Sequence, residues 1–271
     1  MIKLNGEIVN INNFPDGTIF MKQDLVGGIG THIIWQYEND RELVALIYLV
    51  KHLRSKGVSR IGLYMPYIPN ARMDRVKNLD DVFTLKYFAE VLNSLDFHAV
   101  RVLDPHSSVS EALINNLWID TPKTYVDRAI GDINGGWFNV NTIGEKLLAF
   151  YPDEGAMKRY SSMVKLPYAF GIKNRDWETG QILGLDVYGN VDDIVGKNIL
   201  IVDDICSRGG TFYHSAKKLK ELGANNIYLY ITHCENTILE GELLTSGLIE
   251  KVYTTNSIFT KEHEKIEVFK L

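Results

Sequence analysis

Four consecutive aliphatic residues, Ile199, Leu200, Ile201 and Val202, run into two adjacent carboxylates, Asp203 and Asp204, and then into a small-residue loop. A short apolar run bounded by charge reads as a buried parallel strand. Beyond the loop, Phe212, Ala216, Leu219 and Leu222 recur at helical spacing. The carboxylates and the loop therefore stand at the C-terminal edge of a strand, where open α/β sheets bind ligands. Gly209 and Gly210 let the backbone close around an anion, Thr211 adds a hydroxyl, and the free amides of a helix start suit a phosphate.

Two acids beside such a loop would repel phosphate unless they faced sugar hydroxyls or Mg²⁺. A phosphorylated ribose meets both needs. The plainer alternative is a strand, an acidic turn and a helix start, with Asp204 as a cap.

At 271 residues the chain has room for one large domain or two of about 130 each. A net charge of -5 argues against a general nucleic-acid surface. Cys206 and Cys234 are too few and too far apart for a disulfide scaffold or a thiolate metal cluster. No apolar leader and no run long enough to span a bilayer is read, so no membrane association and a cytoplasmic location are expected.

In chain order, residues 1–40 alternate short strand-like runs with turns at Phe14, Pro15, Asp16 and Gly17 and at Gly27, Gly28 and Gly30. Helical spacing covers Arg41–Ser55 and residues 84–94, and strands are read at 59–65 and 97–103. Residues 66–81, with Arg72, Asp74 and Arg75, form a loop after a strand. Asp104, Pro105, His106 and Ser107 end the next strand. Trp118, Trp137 and Phe138 supply bulk in a region hard to read, and a domain boundary is placed near residue 140. Further on come a strand at 146–151, a helix with Lys158 and Arg159, and a strand ending at Lys173, Asn174 and Arg175. Residues 174–190 are polar and glycine-marked, a candidate mobile flap. Strands follow at 198–202, 226–232, 251–255 and 266–269. This alternation predicts an α/β fold with mainly parallel sheets flanked by helices.

Several of these stretches together resemble one family. Residues 201–211 look like the phosphoribosyl-pyrophosphate fingerprint of type I phosphoribosyltransferases. Phe14 to Gly17, the stretch 66–75, Asp104 to Ser107, the stretch 152–159 and Lys173 to Arg175 stand in the order found in ribose-phosphate pyrophosphokinases. The resemblance implies two similar phosphoribosyltransferase-like domains: 1–140 contributing to an ATP site, and 141–271 binding ribose 5-phosphate. It implies transfer of the β,γ-diphosphoryl group of MgATP to the sugar C1 hydroxyl, a step of nucleotide biosynthesis. On this resemblance Phe14, Asp16, Arg72, Asp74 and His106 meet ATP. Asp203, Asp204, Ser207, Arg208, Gly209, Gly210 and Thr211 hold ribose 5-phosphate. Asp153, Glu154 and Gly155 approach the diphosphate, Lys173, Arg175 and His106 are catalytic, and His106, Asp153 and Asp203 ligate Mg²⁺. A homo-oligomer, at least a dimer, is implied.

Met73 stands where the family usually has glutamine, and Thr18 near a family glutamate. A thioether lacks an amide's donor and acceptor, so the donor is ATP or another nucleoside triphosphate. Arg208, at a position commonly small or uncharged, either contacts phosphate or crowds the loop. The loop alone serves a maker or a consumer of phosphoribosyl pyrophosphate; segment 72–75 and His106 favour the maker. A silent regulatory homologue is a third reading. The alternatives for single residues are structural: a strand-end histidine for His106, a solvated face for Lys173 and Arg175, a surface ion-pair network for Arg72, Asp74 and Arg75. His214, His233 and Cys206 are read as structural.

Overall fold

Two burial patterns divide the strands, and each belongs to a different sheet. The computed structural model describes residues 1–23, 30–136, 146–175 and 182–271, without the side chains of 173–175 and 182–183. It forms two compact units, Met1–Thr121 and Pro122–Leu271. No helix among the described residues is long and apolar enough to cross a membrane.

The first unit contains β1 (Ile2–Leu4), β2 (Glu7–Ile8), a separate hairpin of β3 (Ile11–Asn13) and β4 (Ile19–Met21), and then β5 (Thr31–Trp35). These are followed by α1 (Arg41–Ser55), β6 (Ile61–Tyr64), α2 (Thr84–Asn93), β7 (Ala99–Leu103), α3 (Val109–Leu113) and β8 (Leu117–Asp120). The main sheet has the order β2-β1-β5-β6-β7-β8, parallel from β5 to β8 and antiparallel where β1 meets β2 and β5. Its strands alternate because one face is packed: Ile33, Trp35, Ile61, Leu63, Val100 and Val102 meet the apolar stripes of α1 and α2 in one cluster. The reverse face carries His32, Tyr64 and Arg101, which with Arg60 and His98 line a cavity of about 570 Å³.

The second unit runs through α4 (Lys123–Ile133), β9 (Leu147–Tyr151), α5 (Glu154–Tyr160), β10 (Tyr168–Arg175), β11 (Ile182–Gly189) and β12 (Asn198–Cys206). It ends with α6 (Gly210–Glu221), β13 (Ile227–Cys234), β14 (Lys251–Thr255) and β15 (Ile266–Phe269). The sheet order is β11-β10-β9-β12-β13-β14-β15, with only the β10–β11 pair antiparallel. Here the central strands are covered on both faces, so β9, the first part of β12 and most of β13 are buried and largely apolar. Ile199 and Ile201 enter one cluster with α6, while Leu200 and Val202 enter another with α4 and α5. Each such side chain contributes about 1.5–3 kcal/mol on burial.

The α/β class with two helix-flanked sheets is as expected, and so are α1, β14 and β15 to the residue. Three boundaries differ. β12 continues past Val202 to Cys206 because Asp203, Ile205 and Cys206 keep their register against Ile231, His233 and Cys234. Part of the expected flap, residues 182–189, is instead an edge strand held antiparallel to β10. The compact units divide at Thr121 and Pro122 rather than near 140. The reason is α4, whose Asp132 accepts hydrogen bonds from Tyr253 Oη at 2.6 Å and Lys251 Nζ at 3.0 Å, while Arg128 lies over the Phe269 ring at 4.2 Å. Gly27, Gly28, Trp137 and Phe138 lie outside the described residues.

The Tyr253 hydroxyl and the Lys251 ammonium hold Asp132 below the usual carboxylate range. A carboxylate depressed by folding stabilises above its unfolded pKa and loses that contribution as pH falls through its folded one. Tyr253→Phe should therefore lower stability by about 1 kcal/mol at neutral pH, measured by urea unfolding. The difference from wild type should shrink in acid, below the ordinary carboxylate range.

Candidate functional site at the strand ends

β12 carries Asp203 and Asp204 out of a sheet buried on both faces, so desolvation governs both carboxylates. Asp204 is only 4% exposed. Alternation puts it on the side of Leu200 and Val202, where α5 lies, and there Arg159 meets it at 3.2 Å. Asp203 accepts the backbone N–H of Asp204 at 2.9 Å. Burial, followed by the charges of Asp204 and Asp153, raises its carboxyl well above the usual range. Among the described residues, Asp203, Asp204 and Asp153 thus stand together, and Arg159 pairs with Asp204.

Asp153 is in extended conformation and caps α5, accepting the N–H of Ala156 at 3.0 Å. Gly155 leaves room for that carboxylate, since a Cβ there would stand 3.2 Å from Asp153 Oδ1. Glu154 pairs with Lys158 at 2.8 Å.

The loop after β12 turns at Gly209, whose φ of +80° is left-handed, and α6 starts at Gly210. Thr211 lies in the first turn of the helix, where backbone N–H groups have no intrahelical acceptor. Arg208 is exposed and paired with Glu240 at 3.1 Å. Cys206 packs into the core. His233 is buried, its Nδ1 2.8 Å from Ser257 Oγ.

In the first unit the loops after β6 and β7 meet at the same kind of edge. Both turn through left-handed residues, Asn70 at φ 63° and Asp104 at φ 44°. Asp74 is 5% exposed and held in a bidentate pair by Arg75, at 2.7 and 2.9 Å. That pairing, with help from the charge of His106, keeps Asp74 below the usual carboxylate range. The structure therefore brings Asp74, Arg75 and His106 together, while Arg72 and Met73 are exposed. Phe14 and Asp16 sit at the tip of the β3–β4 hairpin, where Phe14 stacks near Phe20 with ring centroids 4.7 Å apart. Asp16 Oδ1 accepts from the Thr18 hydroxyl at 2.7 Å and the Thr18 N–H at 2.9 Å, which lowers its pKa. None of these residues lines the cavity on the reverse face of the sheet.

Lys173 and Arg175 fall near the end of β10, opposite Leu185 and Ile182, with a register irregularity between 174 and 175. Their side chains lie outside the described residues, as does the remainder of the flap, 176–181. Among the described residues no group of three or more His, Cys, Asp or Glu side chains is placed to hold a metal. The crowded carboxylates of Asp203, Asp204 and Asp153 nevertheless offer hard oxygen donors, which suit Mg²⁺ with water and phosphate completing its shell. The residue missed from sequence is Arg159. Its signals were its place at the end of the stretch 152–159 and its position on the helix that follows Asp153.

Residues 185–271 match the phosphoribosyl synthetase-associated domain family. A ribose-phosphate pyrophosphokinase from Thermococcus kodakarensis is 29% identical over 256 residues, covering 93% of this chain and 86% of that one. One from Pyrococcus abyssi is 29% identical over 275 residues, covering 98% and 90%. Among solved structures, phosphoribosylpyrophosphate synthetase from Mycobacterium smegmatis superposes with a TM-score of 0.77 at 19% identity, over 97% of this chain and 86% of that one. This last likeness is one of fold.

Removing Arg159 would take from the buried Asp204 carboxylate the cation 3.2 Å away. Arg159→Met should cost about 3 kcal/mol in urea unfolding, whereas Asp204→Asn combined with it should recover much of the loss.

Proposed function

This chain belongs to the ribose-phosphate pyrophosphokinase family, related to the type I phosphoribosyltransferases, and on that premise we propose that it makes phosphoribosyl pyrophosphate. The general chemistry is that superfamily's transfer reaction at a phosphorylated ribose. The specific reaction proposed is ribose-phosphate diphosphokinase activity, with MgATP as donor and AMP as the second product.

One observation carries the proposal: acids at the end of a doubly buried strand stand directly before a left-handed glycine and a helix start. The carboxylates suit the ribose hydroxyls, and the amides of residues 207–211 suit the 5-phosphate. Asp203 and Asp153 would hold Mg²⁺, which supplies charge neutralisation at the diphosphate. Phe14, Asp16, Arg72, Asp74 and His106 are proposed for the nucleotide, with a neighbouring copy in a homo-oligomer of at least two chains completing that site. The pairing of Asp74 with Arg75 keeps the carboxylate ionised and oriented.

In the reaction the sugar C1 oxygen attacks the β-phosphorus. The C1–O–Pβ bond forms, the bond from Pβ to the bridging oxygen breaks, AMP leaves with the electron pair, and the hydroxyl proton passes to solvent. Charge develops on the bridging and equatorial oxygens, so Lys173 and Arg175 act by binding the transition state more tightly than the ground state. The residues around the sugar act by orientation, holding C1 toward phosphorus.

Phosphorus NMR of the protein with Mg²⁺, ribose 5-phosphate and, in parallel, ATP, GTP or CTP should show phosphoribosyl pyrophosphate forming in step with one nucleoside monophosphate. That donor will report what Met73 and Thr18 do to selectivity. Binding of ribose 5-phosphate without product from any donor would instead favour a transferase that consumes phosphoribosyl pyrophosphate or a silent partner subunit. Alanine at Lys173 or Arg175 should lower turnover by roughly 10²-fold with little change in ribose 5-phosphate binding, and turnover unchanged from wild type in both variants would remove them from the mechanism.

A further inference from the structure

The loop at 207–211 rests on a second loop, and one contact between them leaves no room for a side chain. A Cβ on Gly241 would stand 1.9 Å from the Arg208 carbonyl oxygen and 2.9 Å from its carbon. Gly241 has φ −91° and ψ 169°, which any residue adopts, so backbone freedom does not explain glycine here. Space does. Two residues on, Leu243 approaches Gly209 so closely that a Cβ on Gly209 would meet Leu243 Cδ2 at 2.9 Å. At the rim, Glu240 pairs with Arg208.

The supporting segment is itself fixed. Ile238 is fully buried and Leu243 is 1% exposed. The Asn236 side chain donates to Thr260 Oγ1 at 2.9 Å and accepts the Thr260 N–H at 3.0 Å. The Glu235 N–H donates to the Cys206 carbonyl at 2.8 Å, tying the segment to the end of β12. Held at both ends, it cannot retreat cheaply from the loop it touches.

We propose that residues 240–243 form a platform that sets the shape of the anion-binding loop, with Gly241 as a positioning residue for ribose 5-phosphate. The proposal rests on reading residues 207–211 as the 5-phosphate loop. Gly241 touches no substrate. Its missing side chain lets the Arg208 backbone come close, and Leu243 limits how Gly209 can turn, so the two contacts together fix the path of the loop that carries the amides of Gly209, Gly210 and Thr211.

The test compares wild type with Gly241→Ala and Leu243→Ala. An added methyl at 241 must push the Arg208 backbone. The amide resonances of Gly209, Gly210 and Thr211 should therefore shift in the unliganded protein, and the Kd and KM for ribose 5-phosphate should rise at least about tenfold, while the KM for the nucleotide holds. Leu243→Ala adds no atom and keeps the test in hand if alanine at 241 prevents folding; it should move the same amides and weaken ribose 5-phosphate by about threefold. General destabilisation would lower the melting temperature without this split between the two substrates. Unchanged amides with unchanged ribose 5-phosphate affinity would overturn the platform. A wild-type protein that binds neither ribose 5-phosphate nor inorganic phosphate would overturn the functional reading instead, and the amide shifts would still decide the platform.

Discussion

Burial of both faces of β12 is the constraint on which the rest of the second unit depends. A strand covered on each side must be apolar along its length, and Ile199, Leu200, Ile201 and Val202 meet that demand with two different clusters. Polar chemistry can then emerge only at the end of the strand. It does so at Asp203 and Asp204, and the loop and α6 follow at once. The first unit faces a lighter demand. Its strands pack one face, alternate, and leave the other face bearing His32, Tyr64 and Arg101.

Bringing carboxylates to such a place is costly, and the two acids meet that cost differently. Asp204 is compensated within the protein by Arg159, which α5 supplies across the strand. Asp203 is crowded by Asp204 and Asp153, and its carboxyl rises accordingly. The described side chains make this end of the sheet rich in oxygen donors, which suits hydroxyl donors and a hard cation. In the first unit the balance is reversed: Asp74 has its own bidentate arginine and is settled before any ligand arrives.

The elements most legible from sequence are those governed by local rules. The spacing of Leu43, Leu46, Ile47, Val50 and Leu53 located α1, and the aliphatic run located the core of β12. The length of β12 was not legible, because acids do not look like strand residues and only the ladder with β13 carries them. The ion pair of Arg159 with Asp204 joins residues from two elements far apart in the chain, and no periodicity announces it. Asp153 was legible as part of a motif but not as a helix cap. Gly241 gave no signal at all, since its requirement comes from a carbonyl more than thirty residues earlier. Local pattern finds the elements, and packing between them decides the site.

The strand order has a consequence for how the protein comes to exist. β9 lies between β10 and β12, and Asn198 pairs with Leu147 across an intervening hairpin. The neighbour on the other side, β13, arrives later still. Such distant pairings must close long loops before they gain any contact, which makes this sheet the slower part to assemble. During synthesis the first unit can therefore be complete while the acids of β12 are still unpaired. The chain acquires the shape of the loop after β12 only when most of it has already left the ribosome.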